Sequence, residues 1–364
     1  MYAMIRHLQK MDWVMIGAAV SLVLMGLFFL YGYSVNRGDF INFYKQLFFL
    51  AVGLILILVF SFVDWRVFKQ EPYLILALYL ACIIALVLLF FLAPEIRGIK
   101  RWYKAGPFSV DPIEFTKIVL IILLAKYFST RHVEMYQIKH IFLSGLYVFL
   151  PAVLIFLQPD LGSILLLFSL WLGILLLSGI KVRHFLIICF CGVLLAALGW
   201  QFLLKDYQKE RITSFIFPQT GDNLKIGWNQ SQSEIAIGSG GLFGKGLGKG
   251  TQVQYGFLPE SQTDFIFAAI AEETGFVGTV FLFVLFGALI WRIIRIAATS
   301  QSNFPRLFAL GFAILLASQV VINIGMNVGF LPIIGIPLPL VSYGGGNLLL
   351  TFIAIGILQN MKSY

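Results

Sequence analysis

Ten apolar runs, each about as long as a hydrocarbon core is thick, leave this chain little from which to build a soluble domain. They fall at residues 13–33, 42–63, 73–93, 113–129, 140–157, 162–180, 184–204, 264–296, 304–329 and 339–361. A helix rises 1.5 Å per residue, so about 20 residues cross a core about 30 Å thick. Composition agrees: of 364 residues, 60% are hydrophobic and 12% charged, and the mean hydropathy is +0.92. No soluble fold hides that much apolar surface. The expectation is one all-α integral membrane domain over 1–364, a bundle of about ten transmembrane helices. Only the connection 205–263, between helices 7 and 8, is long enough to hold structure of its own.

The opening "MYAMIRHLQKMDW" leads into a span too long for a signal peptide. Cys82, Cys189 and Cys191 all lie inside spans, which supports neither a disulfide framework nor a metal site. Basic residues of the short loops set the orientation. With the N-terminus inside, the inner set is Arg6, Lys10, Arg66, Lys69, Lys126, Arg131, Lys139, Lys181, Arg183, Arg292, Arg295, Arg306 and Lys362. Both termini then come out cytoplasmic.

Two outer segments break this pattern. The 3–4 connection, "APEIRGIKRWYKAGPFSVDP", holds Arg97, Lys100, Arg101 and Lys104 beside Trp102. The 7–8 loop adds Lys205, Lys209, Arg211, Lys225, Lys245 and Lys249. Long loops escape the positive-inside rule, which covers 205–263. A short outer loop with four cations points instead to an anionic head group or phosphate.

Residues 238–250, "GSGGLFGKGLGKG", place seven glycines in thirteen positions. This is no phosphate loop, because Gly rather than Ser or Thr follows each "GK", and the segment before it reads as an amphipathic helix. An anion-binding nest and a flexible connector both remain open. "GFLPIIGIPLPLVSYGGGN" is equally irregular, and irregular backbone at membrane depth must be buried in protein or line a wet cavity. Gln319, Asn323 and Asn327 share one face of span 9, where they either line that groove or tie helices together.

Glu114 and Lys117, three apart at the start of span 4, form either a self-neutralising pair or part of a functional site. Asp160, in "QPDLGS", reads equally as a helix cap. In "FLPESQTDFIFAAIAEE" four carboxylates, Glu260, Asp264, Glu272 and Glu273, sit at the start of an apolar span. That span would measure about 50 Å, so Asp264 can stand at the mouth of an outward groove rather than in lipid. Local physics alone makes Asp264 an N-cap.

Five ordered stretches, "GIKRWYKAGPFSVDPIEFTK", "QPDLGS", "QSEIAIGSGGLFGKGLGKGTQ", "FLPESQTDFIFAAIAEETGF" and "NIGMNVGFLPIIGIPLPLVSYGGG", together resemble the signatures of the SEDS family of cell-wall polymerases. The resemblance spans essentially the whole chain. "GIPLP" and the short length resemble its elongation branch more than its division branch. Two departures, "DPIE" with Asp111 and Ile113, and "YGGG" with Gly346, lie beside the groove and bear on substrate detail.

The resemblance implies a peptidoglycan glycosyltransferase that joins lipid II units outside the bacterial cytoplasmic membrane during cell elongation. The family's essential Asp falls on Asp264, and its Glu and Lys on span 4 fall on Glu114 and Lys117. Arg101, Lys100, Trp102, Asp160, Gln232, Ser233, Lys245, Glu260, Asn323 and Ser342 stand in the matching motifs as candidate substrate contacts. Forming a β-1,4 link from an α-linked diphosphate inverts the anomeric carbon, so one base must activate the acceptor hydroxyl, and Asp264 fits. Lys117, Arg101 and Lys100 would meet the undecaprenyl diphosphate leaving group. No cluster marks a dedicated metal cage. A divalent magnesium or manganese ion would be held by the diphosphate and one carboxylate, Asp264 at most. Implied partners are a class B penicillin-binding protein and other elongation-complex membrane proteins, with no organic cofactor and no nucleic acid.

A lipid II flippase is the main rival, and a non-catalytic scaffold for a penicillin-binding protein is the other. A flippase needs a polar path through to the inside, and the inner halves of spans 8 to 10 are almost wholly apolar. A scaffold has little need of cations converging with Asp264.

Overall fold

The computed structural model describes residues 7–94, 101–106, 108–130, 138–202, 204–216 and 224–363. Among the described residues, ten long helices follow the ten apolar runs in order. They are α1 Trp13–Arg37, α2 Ile41–Phe62, α3 Pro72–Leu92, α4 Pro112–Thr130, α5 Ile138–Leu157, α6 Leu161–Leu177, α7 Val182–Phe202, α8 Ile266–Thr299, α9 Asn303–Asn327 and α10 Gly345–Ser363. Seven described helices (α1, α2, α3, α5, α7, α8 and α9) are long and apolar enough to cross a membrane. The other three, α4, α6 and α10, are shorter or carry more polar residues. A helix apolar on all sides belongs in a core, and α4 is buried on nearly every face, from Ile113 through Ala125. At the opposite extreme α7 has no buried residue and lies at the rim.

Local chemistry sets the ends. Asp12 caps α1 by accepting from Met15 N at 3.1 Å, and Gly38, left-handed at φ 70°, closes it. Pro72 opens α3 where its missing N–H costs nothing. Asp12 also receives Arg292 Nε at 2.9 Å and lies 3.4 Å from Lys362 Nζ, so one buried carboxylate pins α1, α8 and α10. Burial alone would raise its pKa, but the Arg292 hydrogen bond and its neighbours hold it below the usual range. Elsewhere α10 lies close against α2 because Gly53 admits Phe352 and Gly356 admits the backbone of Ile57.

The expected single span 264–296 is interrupted. At Gly275 the backbone turns to φ 68°, ψ −163°, which breaks α8. The freed groups pair with the glycine loop: Lys245 N and Gly246 N each donate at 3.0 Å to the carbonyls of Glu272 and Glu273, and Phe276 N donates to Gly241 O at 2.9 Å. The loop 238–250 is thus neither a flexible connector nor an open nest, but a segment docked into a broken helix. Glycine is needed where the two backbones touch. Gly244, at φ 76°, lies so close to the Glu273 backbone that a Cβ would overlap it, whereas one on left-handed Gly241 would meet nothing. Gly241→Ala should cost about 1–2 kcal/mol for its backbone alone. Gly244→Ala should lower the thermal midpoint in detergent well beyond that; equal midpoints would refute the docking.

The last span also differs, starting at Gly345 rather than 339, because Pro332, Pro337 and Pro339 keep residues 328–344 out of a helix. The 205–263 loop carries helices Asp206–Ile216, Leu224–Ser239 and Thr251–Gln254, the second where an amphipathic helix is expected. The 3–4 connection forms a hairpin, β1 Tyr103–Ala105 with β2 Phe108–Val110, which the sequence does not announce. These segments meet at one end of the bundle.

Candidate active site

Arg101 organises that end. Its Nε donates to Asp111 Oδ2 at 2.8 Å, its Nη1 lies 3.0 Å from Asp160 Oδ2, and its guanidinium stands 5.5 Å from the Trp102 ring. The hairpin delivers Asp111 just ahead of α4, where Oδ1 accepts from Ile113 N at 2.9 Å. Asp160 serves as both cap and ion partner, since it also accepts from Ser163 N at 3.0 Å and Ser163 Oγ at 2.7 Å. Burial opposes the Arg101 charge, yet Asp160 and Asp111 together keep it firmly protonated. Burial likewise raises Asp111 above the usual carboxylate range, with Arg101 opposing and Glu114 adding to the rise.

Asp264 stands two residues ahead of α8, and its side chain does not cap the helix. The cap position falls on Phe265, which makes no side-chain hydrogen bond. Its carboxylate instead lies against Gly335, where a Cβ would stand 3.4 Å from Oδ2. Burial, reinforced by Glu260, pushes Asp264 up to about 6, while Arg101 and Arg211 pull the other way. Glu260 is held in the left-handed region at φ 48°, a strained position for a residue with a side chain. Thr263 N and Phe265 N fix it there by donating to its carbonyl at 3.0 and 3.2 Å.

Beneath this group, Lys117 Nζ donates to Glu114 Oε1 at 2.7 Å and Asn347 Nδ2 donates to Glu114 Oε2 at 3.1 Å. Glu114, Lys117, Gln319, Asn347 and Thr351 line a small cavity together with Phe312, Leu315, Leu316 and Leu350. Glu114 also acts on the charges of Arg101 and Asp111, which links the interior pair to the Arg101 cluster.

Of the remaining candidates, Asn323, Ser342 and Ser233 hold backbone, and Lys245 holds another side chain. Asn323 donates to Asp264 O at 2.9 Å and Ile336 O at 2.8 Å, and Ser342 Oγ donates to Thr263 O at 2.6 Å. Ser233 Oγ donates to Asn327 O at 2.8 Å, and Gln232 beside it is buried. Lys245 Nζ reaches Glu272 Oε1 at 2.8 Å and Thr251 Oγ1 at 2.7 Å, so this pair latches the glycine loop to α8. Lys100 lies outside the described residues. Arg211 and Asn347 are the residues that sequence reasoning missed. Arg211 reads as one loop cation among many, and Asn347 sits inside a glycine run. Asp111 was visible only as a departure from the family motif.

A bundle of membrane helices that gathers carboxylates and arginines at one end, roofed by a folded loop, defines a polytopic membrane protein with a polar site near the membrane surface. The sequence profile of the FtsW/RodA/SpoVE family, described as cell cycle protein, matches residues 12–364. The chain therefore belongs to this family, the SEDS family. It is 40% identical to the peptidoglycan glycosyltransferase MrdB of Escherichia coli K12 over 319 residues, covering 86% of this chain and 84% of that one. It is 34% identical to stage V sporulation protein E of Bacillus subtilis over 364 residues, covering 97% of each. Among solved structures, a chain of a peptidoglycan synthase complex that coordinates polymerisation and crosslinking superposes with TM-score 0.82 at 29% identity, covering 97% of each chain. The rod shape determining protein RodA of Thermus thermophilus superposes with TM-score 0.70 at 29% identity, covering 96% of each.

Proposed function

We propose that this chain is a peptidoglycan glycosyltransferase that polymerises lipid II on the outer face of the bacterial cytoplasmic membrane during elongation. The observation that carries the proposal is Asp264. It is a carboxylate freed from capping, set against Gly335 of the irregular 328–344 stretch, with Arg101 and Arg211 acting on it from two other segments. Family relatives named as peptidoglycan glycosyltransferases supply the reaction class. Asp264 takes the proton from the acceptor hydroxyl. The oxygen then bonds to the anomeric carbon of the donor from the face opposite the diphosphate, and the sugar–phosphate bond breaks. The electron pair leaves with undecaprenyl diphosphate, whose developing charge Arg101, Arg211 and Lys117 offset.

The described groups gathered here are Asp111, Glu114, Asp160, Glu260 and Asp264 against Arg101, Lys117 and Arg211. That acidic excess suits a divalent magnesium or manganese ion arriving with the diphosphate, held by its oxygens and by Asp264 or Glu260. Such an ion would add positive charge at the leaving group.

A flippase needs a polar route through the bundle. Past the cavity beside Glu114, Phe308 on α9 and Phe352, Ile355 and Leu358 on α10 are buried and apolar, which favours chemistry at one face over transport. Purified protein incubated with lipid II, with and without a class B penicillin-binding protein, should yield glycan polymer. No polymer under either condition overturns the reading.

The partner reading places the membrane helix of a class B penicillin-binding protein on α8 and α9. Phe281, Val284 and Val321 are exposed there, and a Cβ on Gly287 would meet nothing. Gly287→Leu should lower polymerisation by the complex without weakening lipid II binding. Photo-crosslinks from the partner helix should land on α8 and α9; crosslinks confined to α1–α3 would exclude this placement.

A further inference from the structure

Two fully buried asparagines, one turn apart on α9, both donate to the main-chain carbonyl of Asp264. Asn323 Nδ2 donates to Asp264 O at 2.9 Å and to Ile336 O at 2.8 Å. Asn327 Nδ2 donates to the same Asp264 carbonyl at 3.0 Å and to Asn323 O at 2.8 Å. One carbonyl thus receives two donors from a rigid helix, which fills both of its lone pairs and fixes the peptide plane that follows Asp264.

The acceptor side of Asn327 works on the same segment. Its Oδ1 accepts from Ala268 N at 3.2 Å, one of the amides that the first turn of α8 leaves without a helical partner. Phe265 supplies no cap, so Asn327 caps α8 from a neighbouring helix. Asn327 also receives Ser233 Oγ at its own carbonyl, 2.8 Å away, which ties in the loop helix Leu224–Ser239. Ile336, held by Asn323, follows Gly335, the residue that borders the Asp264 carboxylate. Helix-to-helix bonding in general needs only some polar partner. Here the bonds converge on the backbone on either side of one carboxylate.

We propose that Asn327, together with Asn323, is a positioning residue that sets the direction of the Asp264 carboxylate by clamping its carbonyl and the first turn of α8. The inference rests on reading Asp264 as the base of the glycosyltransferase.

The test measures Asn327→Ala and Asn327→Asp, the latter keeping the acceptor while removing both donors. Asn360→Ala serves as control, because Asn360 is an equally buried asparagine with backbone partners at the other end of the bundle, Trp65 N at 3.1 Å and Ser61 O at 2.8 Å. Readouts are kcat and KM for lipid II, the thermal midpoint, and the position of Asp264 in a structure of each variant. A carboxylate misplaced by about 1 Å should cut kcat about 100-fold in both Asn327 variants. KM should stay within about threefold, the mark of an interaction made in the transition state. Asn360→Ala should lose stability with a far smaller fall in kcat. A kcat loss no larger than the control's, or an unmoved Asp264, overturns the inference. Should the native protein make no glycan, the glycosyltransferase reading fails, and the displacement of Asp264 alone decides the clamp.

Discussion

Asp264→Asn is expected to abolish glycan synthesis while leaving the fold and membrane insertion intact. Asparagine matches aspartate in size and keeps the hydrogen bonds that Asn323 and Asn327 make to the main chain of residue 264. No cap is lost, because the Asp264 side chain does not cap α8. What disappears is the capacity to take a proton, typically worth about 10²–10⁴-fold. The native enzyme should carry a matching pH signature. A base must be deprotonated to work, and burial with Glu260 pushes Asp264 up to about 6. Activity should therefore be full above that pH and fall about tenfold per unit well below it. Residual activity of the Asn variant should lack this acid limb. A variant with near-native turnover would return Asp264 to a structural role.

Lys117→Met should be nearly as damaging, for two separable reasons. Lys117 and Glu114 are both buried and 2.7 Å apart, so losing the ammonium strands a carboxylate that only Asn347 still contacts among the described partners. Breaking one side of a buried pair costs about 3–5 kcal/mol, whereas replacing both charges by neutral groups is often close to neutral. The double variant Lys117→Met with Glu114→Gln should thus regain most of the thermal midpoint. If Lys117 also offsets charge on the departing diphosphate, polymer formation stays lost. Restored polymerisation in the double variant would reduce Lys117 to a counterion.

Much of the architecture is legible in the chain because a membrane imposes a length on every apolar run. Boundaries suffer where tertiary contacts replace helical hydrogen bonds. The break at Gly275 cannot be read locally, since "EETGFVG" continues an apolar helix. It exists because Lys245, Gly246, Gly241 and Leu242 satisfy the groups that the break exposes. The glycine loop is ambiguous for the same reason: its glycines pack against the backbone of Glu273 and Gly32, both distant in sequence.

The sequence by itself determined the membrane class, the ten helices in order, the family and the carboxylates and cations worth testing. Hydropathy acts through local composition and motifs through local spacing, so both survive without a fold. Only the tertiary structure decided how those residues divide their work. It made Asp160 the partner of Arg101 as well as a cap, assigned Lys245 to Glu272, and brought Arg211 toward Asp264. The physical reason is that a buried charge or amide is settled by whichever partner the packed chain brings within about 3 Å, and that distance is not written in any single segment.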